Sequence, residues 1–234
     1  MSIKKRILLK LTGNIFLSDN NSAGSELIKN LVRQIKSLST THVFCIVIGG
    51  GNLFRGSVEG KQLGLNKSTG HHVGMLATVM NGLILQDLFR QADLKSSHLS
   101  AIIAPGVAAS ARQESIELAL ETGLPIIFSG GTGTPFFTTD TTAVTRALQI
   151  NAQEVWKGTD VDGIYDKNPA ENSDAQLIKK INYKDTLTKQ INVMDQTAFA
   201  LAAKHELVIR VFNIFEPDAL KKAENDKLFG STIS

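Results

Sequence analysis

The chain has 234 residues, of which 42% are hydrophobic and 20% charged, with a formal net charge of +3. That length suits one large α/β domain or two small lobes, and the composition excludes a disordered chain. The mild positive charge suits a protein that handles anions. It is too weak, and its aromatics too few and too little interleaved with basic residues, for nucleic-acid binding as the main role.

The single cysteine, Cys45, sits in an apolar run and reads as a buried thiol, so no disulfide framework forms within the chain. The basic start "MSIKKRILLKLTG" has too short an apolar run for a signal peptide. No stretch approaches the ~20 apolar residues of a membrane span. The expectation is a cytoplasmic protein with no membrane partner.

In chain order, "RILLKL" (6–11) reads as a buried strand closed by a Thr-Gly-Asn turn. "SELIKNLVRQIKSL" (25–38) carries apolar residues at helical spacing. "VFCIVI" (43–48) is a second strand. "GMLATVMNGLILQDLFRQA" (74–92) is a long helix, apolar over so wide an arc that it is expected to be buried on two sides, the second side offering a subunit interface. Strands follow at 100–104, 125–131, 154–158 and 206–213. Helices follow at 111–123, 139–152, 183–189, 195–205 and 217–225. The polar stretch 165–174 is a candidate lobe boundary or lid. This alternation predicts an α/β fold, a three-layer α/β/α sandwich around a mostly parallel central sheet.

Ligands of such folds bind at the carboxyl ends of the strands. Four of these ends carry glycine beside Thr, Ser, Asn or Asp, in "KLTGN", "IGGGN", "SGGTGTPFFTTD" and "KGTDVDG". Glycine there lets the backbone come close to a ligand, and successive N–H groups form an anion nest, aided by any helix that starts just beyond. Phosphate or nucleotide binding follows. Neither the Walker A spacing nor the dinucleotide fingerprint is present, which disfavours an oxidoreductase.

Lys10 interrupts an apolar strand just before the Thr12-Gly13 corner. It reads as a fixed positive charge of the kind phosphoryl transfer requires, against the plain alternative of a lysine snorkelling from a strand end. Arg55 offers a planar fork for phosphate, or is a surface arginine. Thr138, Thr139 and Asp140 stand where a helix begins, so ordinary capping explains them in part. Asp140 is also suited to orient Lys10 or to hold Mg²⁺ beside phosphates. His71 and His72 point apart on a helix and do not read as a metal pair.

These same residues carry a resemblance. "RILLKLTG", "IGGGNLFRG", "HVGMLATVMNG", "GTGTPFFTTD", "VDGIYDKNPA" and "IRVFN" are together similar to bacterial uridylate kinases of the amino acid kinase fold, nearly end to end. The resemblance implies Mg²⁺-dependent transfer of the ATP γ-phosphoryl group to UMP. It implies a first ATP-binding loop at Lys10, Leu11, Thr12 and Gly13, with Gly51, Arg55, Thr159, Tyr165 and Asn168 also on the ATP side. It implies UMP contacts at Gly50, at His71 and along Thr132, Gly133, Thr134, Pro135, Phe136, Phe137, Thr138 and Thr139. Catalysis is expected from Lys10 and Asp140, with Lys157 a weaker second candidate. The N-terminal part, about 1–150, is expected to be mainly UMP-binding and the part about 151–234 mainly ATP-binding, within one domain. A homohexamer built from dimers is implied.

The chain also departs from the family pattern. His71, Thr134, Asn168, Asn14 and Ser97 stand where aspartate, asparagine, aspartate, glutamate and, in some members, arginine are usual. Because Ser97 stands in place of that arginine, activation by GTP is not carried over. Two rival readings follow: a kinase of the same fold acting on an amino-acid carboxylate or carbamate, and a nucleotide-binding storage or sensing protein without turnover.

Overall fold

In the computed structural model, which describes residues 4–17, 23–189, 191 and 193–234, the apolar runs of the sequence pair into one large sheet. The first three residues of the N-terminal stretch lie outside the described residues. The first six strands in chain order are β1 (Lys5–Leu11), β2 (His42–Ile48), β3 (Ser97–Ser100), β4 (Ala109–Ser110), β5 (Ile126–Ser129) and β6 (Glu154–Thr159). After a small antiparallel pair, β7 (Ile164–Tyr165) and β8 (Leu177–Ile178), come β9 (Lys180–Ile181), β10 (Ile209–Asn213) and β11 (Ser231–Ile233). Among the described residues the order across the nine-stranded sheet is β4-β3-β5-β2-β1-β6-β10-β11-β9. Every pairing in it is parallel except β10 with β11. The four strand ends singled out by their glycines belong to β5, β2, β1 and β6, which are consecutive neighbours, so their carboxyl ends form one continuous edge.

The side-chain alternation of β1 divides the core. Ile7, Leu9 and Leu11 pack with α1 (Ala23–Leu38), α3 (Lys67–Gln91) and α8 (Ala219–Asn225) on one face. Leu8 packs on the other face with α4 (Gln113–Glu121), α5 (Thr139–Gln149) and α7 (Gln196–Lys204). A one-turn α2 (Glu59–Gln62) leads into α3, and α6 (Tyr183–Thr188) precedes α7. The expected three layers are present, and one sheet runs through both halves of the chain.

Two elements differ most from the sequence reading. The long helix starts at Lys67 rather than 74, capped by the Asn66 side chain, which accepts from the Ser68 N–H. Its first two turns hold Gly70 and Gly74 and lack apolar periodicity, so pattern alone misses them. The third strand is Ser97–Ser100, not 100–104. The Ser100 hydroxyl bonds both the N–H and the carbonyl of Ile102, which turns the chain out of the sheet and leaves Ile103 exposed.

Candidate active site

On β1, Lys10 shares the side of Leu8 and therefore faces α5. Lys157 on β6 shares the side of Val155 and faces α5 as well, and the two lysines are register partners across the parallel ladder. Asp140 lies in the first turn of α5, where the helix N-terminus favours a negative charge. The Thr138 hydroxyl caps this helix by accepting from the N–H groups of Asp140 and Thr141.

The three side chains meet. Lys157 Nζ donates to Asp140 Oδ2 at 2.8 Å and to the Val193 carbonyl at 2.5 Å. Lys10 Nζ stands 3.2 Å from Oδ1 as an ion pair, and Oδ1 has no further partner within the protein. All three side chains are 13–16% exposed. Burial alone would raise the Asp140 pKa. The ammonium groups of Lys10 and Lys157 outweigh it and hold the carboxyl below its ordinary range. Burial pushes Lys157 below the usual lysine value, with Asp140 opposing and Lys10 reinforcing the shift.

Two cavities open near this triad, one lined in part by Lys157 and the other by Thr138 and Thr139 just ahead of Asp140. One, of about 300 Å³, is lined by Gly50, Gly51, His71, Thr132, Phe137, Thr138 and Thr139, with the α3 residues Gly74, Met75 and Thr78 behind them. The other, of about 470 Å³, is lined by Lys157, Thr159, Tyr165, Asn168 and Pro169, with Val211 and Lys189 opposite. Residues 165–169 of the polar stretch 165–174 thus form a wall of this cavity.

The structure sorts the sequence candidates unevenly. Gly50, Gly51, His71, Thr132, Phe137, Thr138 and Thr139 gather in the first cavity, so Gly51 lies with Gly50 rather than with the residues of the second. Gly133, Thr134, Pro135 and Phe136 continue the same loop outside that lining, and the Phe136 ring sits 4.9 Å from the His71 ring. Thr159, Tyr165 and Asn168 share the second cavity. Leu11 is fully buried in the core, so its backbone alone is available to a ligand, and the Thr12 hydroxyl caps the short turn at Gly13–Phe16. Arg55 is exposed and folds back, its Nε donating to the Gly51 carbonyl at 3.0 Å.

Gly50 is required for a reason the sequence does not disclose. A Cβ there would stand 2.8 Å from the Gly74 carbonyl oxygen and 2.9 Å from Ala77 Cβ, so the glycine serves the close approach of α3. Sequence reasoning also misses Asp195. It caps α7 by accepting from the Ala198 N–H and also accepts from the hydroxyls of Thr138 and Thr141. Only an aspartate ahead of an apolar run marks it in the sequence, and that marks the cap alone.

Among the described residues, no three His, Cys, Asp or Glu side chains cluster to hold a metal by themselves. A Mg²⁺ that arrives on nucleotide phosphates needs only one or two carboxylates, and Asp140, with Oδ1 free of hydrogen bonds, fits that requirement.

A mostly parallel sheet whose glycine-bearing strand ends flank a Lys–Asp–Lys cluster defines a phosphotransferase-like α/β architecture, and the family model described as "Amino acid kinase family" matches residues 5–213. The chain belongs to that family, among its uridylate kinases. A uridylate kinase of Idiomarina loihiensis is 46% identical over 98% of this chain and 94% of its own length. One of Haemophilus influenzae is 42% identical over 99% and 98%. The crystal structure of UMP kinase from Ureaplasma parvum superposes with a TM-score of 0.93 at 33% identity, covering all of both chains.

Proposed function

We propose that the protein transfers the γ-phosphoryl group of ATP to UMP, giving UDP and ADP. One observation carries the reading beyond family membership: two part-buried ammonium groups, organised by one carboxylate, stand near two cavities on the glycine-bearing edge. A phosphate oxygen of UMP forms the new bond to the γ-phosphorus as the bond to the bridging oxygen of ADP breaks. Charge moves between oxygens, and no covalent enzyme intermediate is needed. Lys10 and Lys157 hold the charge of the transferring group, and Asp140 holds both lysines in place.

UMP is assigned to the smaller cavity, with Gly50, His71, Thr132 and the Thr138–Thr139 helix start as its lining, and Gly133, Thr134, Pro135 and Phe136 as the loop around it. ATP is assigned to the larger cavity beside Thr159, Tyr165 and Asn168, its phosphates reaching the backbone at Lys10–Gly13, Gly51 and Arg55. The division into a UMP-binding part, about 1–150, and an ATP-binding part, about 151–234, follows these assignments. Mg²⁺ bound with the nucleotide, with Asp140 as its protein carboxylate, would neutralise phosphate charge. The setting proposed is the cytoplasm. No helix among the described residues is long and apolar enough to cross a membrane.

The assembly proposed is a homohexamer. Its support is the outer face of α3, which exposes Leu76, Met80, Leu83 and Ile84 to solvent in the single chain. Light scattering that gives a stable monomer overturns it.

The direct test is ADP release from MgATP with UMP, CMP, dUMP, acetylglutamate and aspartate in parallel. Turnover with UMP and none with the amino-acid acceptors is the expected result. Comparable turnover with an amino-acid acceptor overturns the reading. Nucleotide binding without any turnover would instead favour storage or sensing.

A further inference from the structure

Helix α3 is mostly apolar where it meets the sheet, yet two of its fully inward residues are polar and three positions apart. Thr78 and Asn81 are 7% and 0% exposed. Three residues apart on a helix is one face. Each side chain is spent on a different glycine loop. The Thr78 hydroxyl accepts from the Gly130 N–H at 2.8 Å, where β5 ends and the Gly130–Thr139 loop begins. It donates in turn to the Met75 carbonyl of its own helix. The Asn81 amide donates to the Gly49 carbonyl at 2.7 Å, where β2 ends, and to Asn52 Oδ1 at 2.7 Å. Asn52 returns a bond to Asn81 Oδ1 at 3.3 Å.

Asn52 carries the connection one loop further. Its Oδ1 lies so close to Gly13 that a Cβ on that glycine would stand 2.2 Å from it. The Gly13 turn of β1, the Gly49–Gly51 turn of β2 and the Gly130 turn of β5 are therefore all registered against one helix. A buried polar group left without its partner is costly, so such side chains hold their loops in one arrangement rather than several. Phosphoryl transfer is sensitive to that arrangement, because small misplacement of reacting groups costs rate.

We infer that Thr78, Asn81 and Asn52 are positioning residues: they fix the spacing between the loops that hold the acceptor phosphate and the triad, Thr78 doing so from the wall of the smaller cavity. This rests on the UMP kinase reading for its kinetic consequence, though not for the structural coupling itself.

The decisive variants are Thr78→Val, which keeps shape and removes the acceptor; Thr78→Ser, which restores it; and Asn52→Ala, at a partly exposed site. At saturating MgATP and UMP, Thr78→Val and Asn52→Ala should each lose at least fivefold in kcat per folded molecule. KM for ATP should stay within threefold, and Thr78→Ser should recover most of the rate. Losses below fivefold in both, or no recovery in Thr78→Ser, overturn the inference, because a purely structural role would lower Tm and leave kcat per folded molecule intact. If the wild-type protein fails to phosphorylate UMP, that reading fails, and amide exchange judges the coupling instead. The Leu53 and Phe54 N–H groups, which bond the Gly50 carbonyl, should exchange at least tenfold faster in Asn81→Leu than in the wild type, with the β1 amides unchanged. Equal exchange, or equal acceleration throughout β1, overturns the inference by itself.

Discussion

Lys10 and Lys157 are register partners on adjacent parallel strands, and both ammonium groups converge on Asp140. Two like charges side by side in a half-closed site repel. The carboxylate between them is what makes the pair tenable, and its depressed pKa reflects that. Lys157 is the more tightly held, at 2.8 Å against 3.2 Å for Lys10.

Both lysines therefore belong to the charge-stabilising machinery. Lys10→Ala and Lys157→Ala should each lower kcat by about 10²–10³-fold, the range for removing one preorganised donor from a developing charge. Calorimetric binding of UMP should change only a few-fold, because the cavity that takes it is lined mainly by other residues. A Lys157→Ala enzyme that keeps more than a tenth of wild-type turnover would remove Lys157 from the mechanism.

Two adjacent glycines should respond differently to the same methyl group. At Gly50 the added Cβ meets helix backbone, with the Gly74 oxygen at 2.8 Å and the Thr78 nitrogen at 3.0 Å. Neither can yield without moving α3. At Gly51 the nearest atom is Arg55 Nε at 3.2 Å, part of a flexible exposed side chain. Gly50→Ala should cost about 1–3 kcal/mol, the usual penalty of overpacking, and lower Tm by several degrees. Gly51→Ala should leave Tm nearly unchanged. Equal Tm values for the two variants would contradict this account of the triple glycine.

His98 sets a pH dependence of stability. It is 5% exposed, with Nε2 2.8 Å from the Ser129 hydroxyl, beneath the start of the Gly130 loop. Burial pushes its pKa down to about 4, with the Val107 backbone opposing in part. An unfolded histidine titrates near 6.5. Between those values the unfolded chain binds the extra proton, so stability from this group is complete above about pH 6.5 and is lost as pH falls toward 4. The loss is about 3 kcal/mol at most. His98→Gln keeps a hydrogen-bonding group and does not titrate, so its Tm should fall less steeply than the wild type's across that window. Parallel Tm–pH curves would show that His98 does not titrate as its burial dictates.

The layers were legible in the sequence because period and length were unambiguous. Residues 7–9 and 43–48 are continuous apolar runs, and 25–38 repeats at helical spacing. The strand-end edge was legible too, since glycines at four strand ends need only a parallel sheet to come together. Pairing was not legible. Lys157 sits in "EVWKG", which says strand but not which neighbour, and only the β1–β6 register places it beside Lys10. Asn81 and Thr78 read as interruptions of an apolar helix, because their partners, Gly49 and Gly130, are 32 and 52 residues away. The last strand, Ser231–Ile233, escapes a sequence reading because three residues carry no period; its antiparallel pairing to β10 supplies what the local pattern lacks.

Asp195 joins the two halves of the chain at the site. Its carboxylate accepts from the Ala198 N–H at 3.0 Å and so caps α7, while the hydroxyls of Thr141 and Thr138, at the start of α5, donate to the same group. Thr138 also lines the cavity assigned to UMP. Removing the carboxylate leaves a helix uncapped and two hydroxyls without their acceptor, a combined cost of about 2–3 kcal/mol. For a chain of this size that is a fall in Tm of about 5–10 °C. The consequence for binding is one-sided. Asp195→Ala should raise KM for UMP several-fold, because the α5 start loses its anchor, while KM for ATP changes little. A variant with unchanged Tm, or one whose two KM values rise together, would show that α5 is held in place without Asp195.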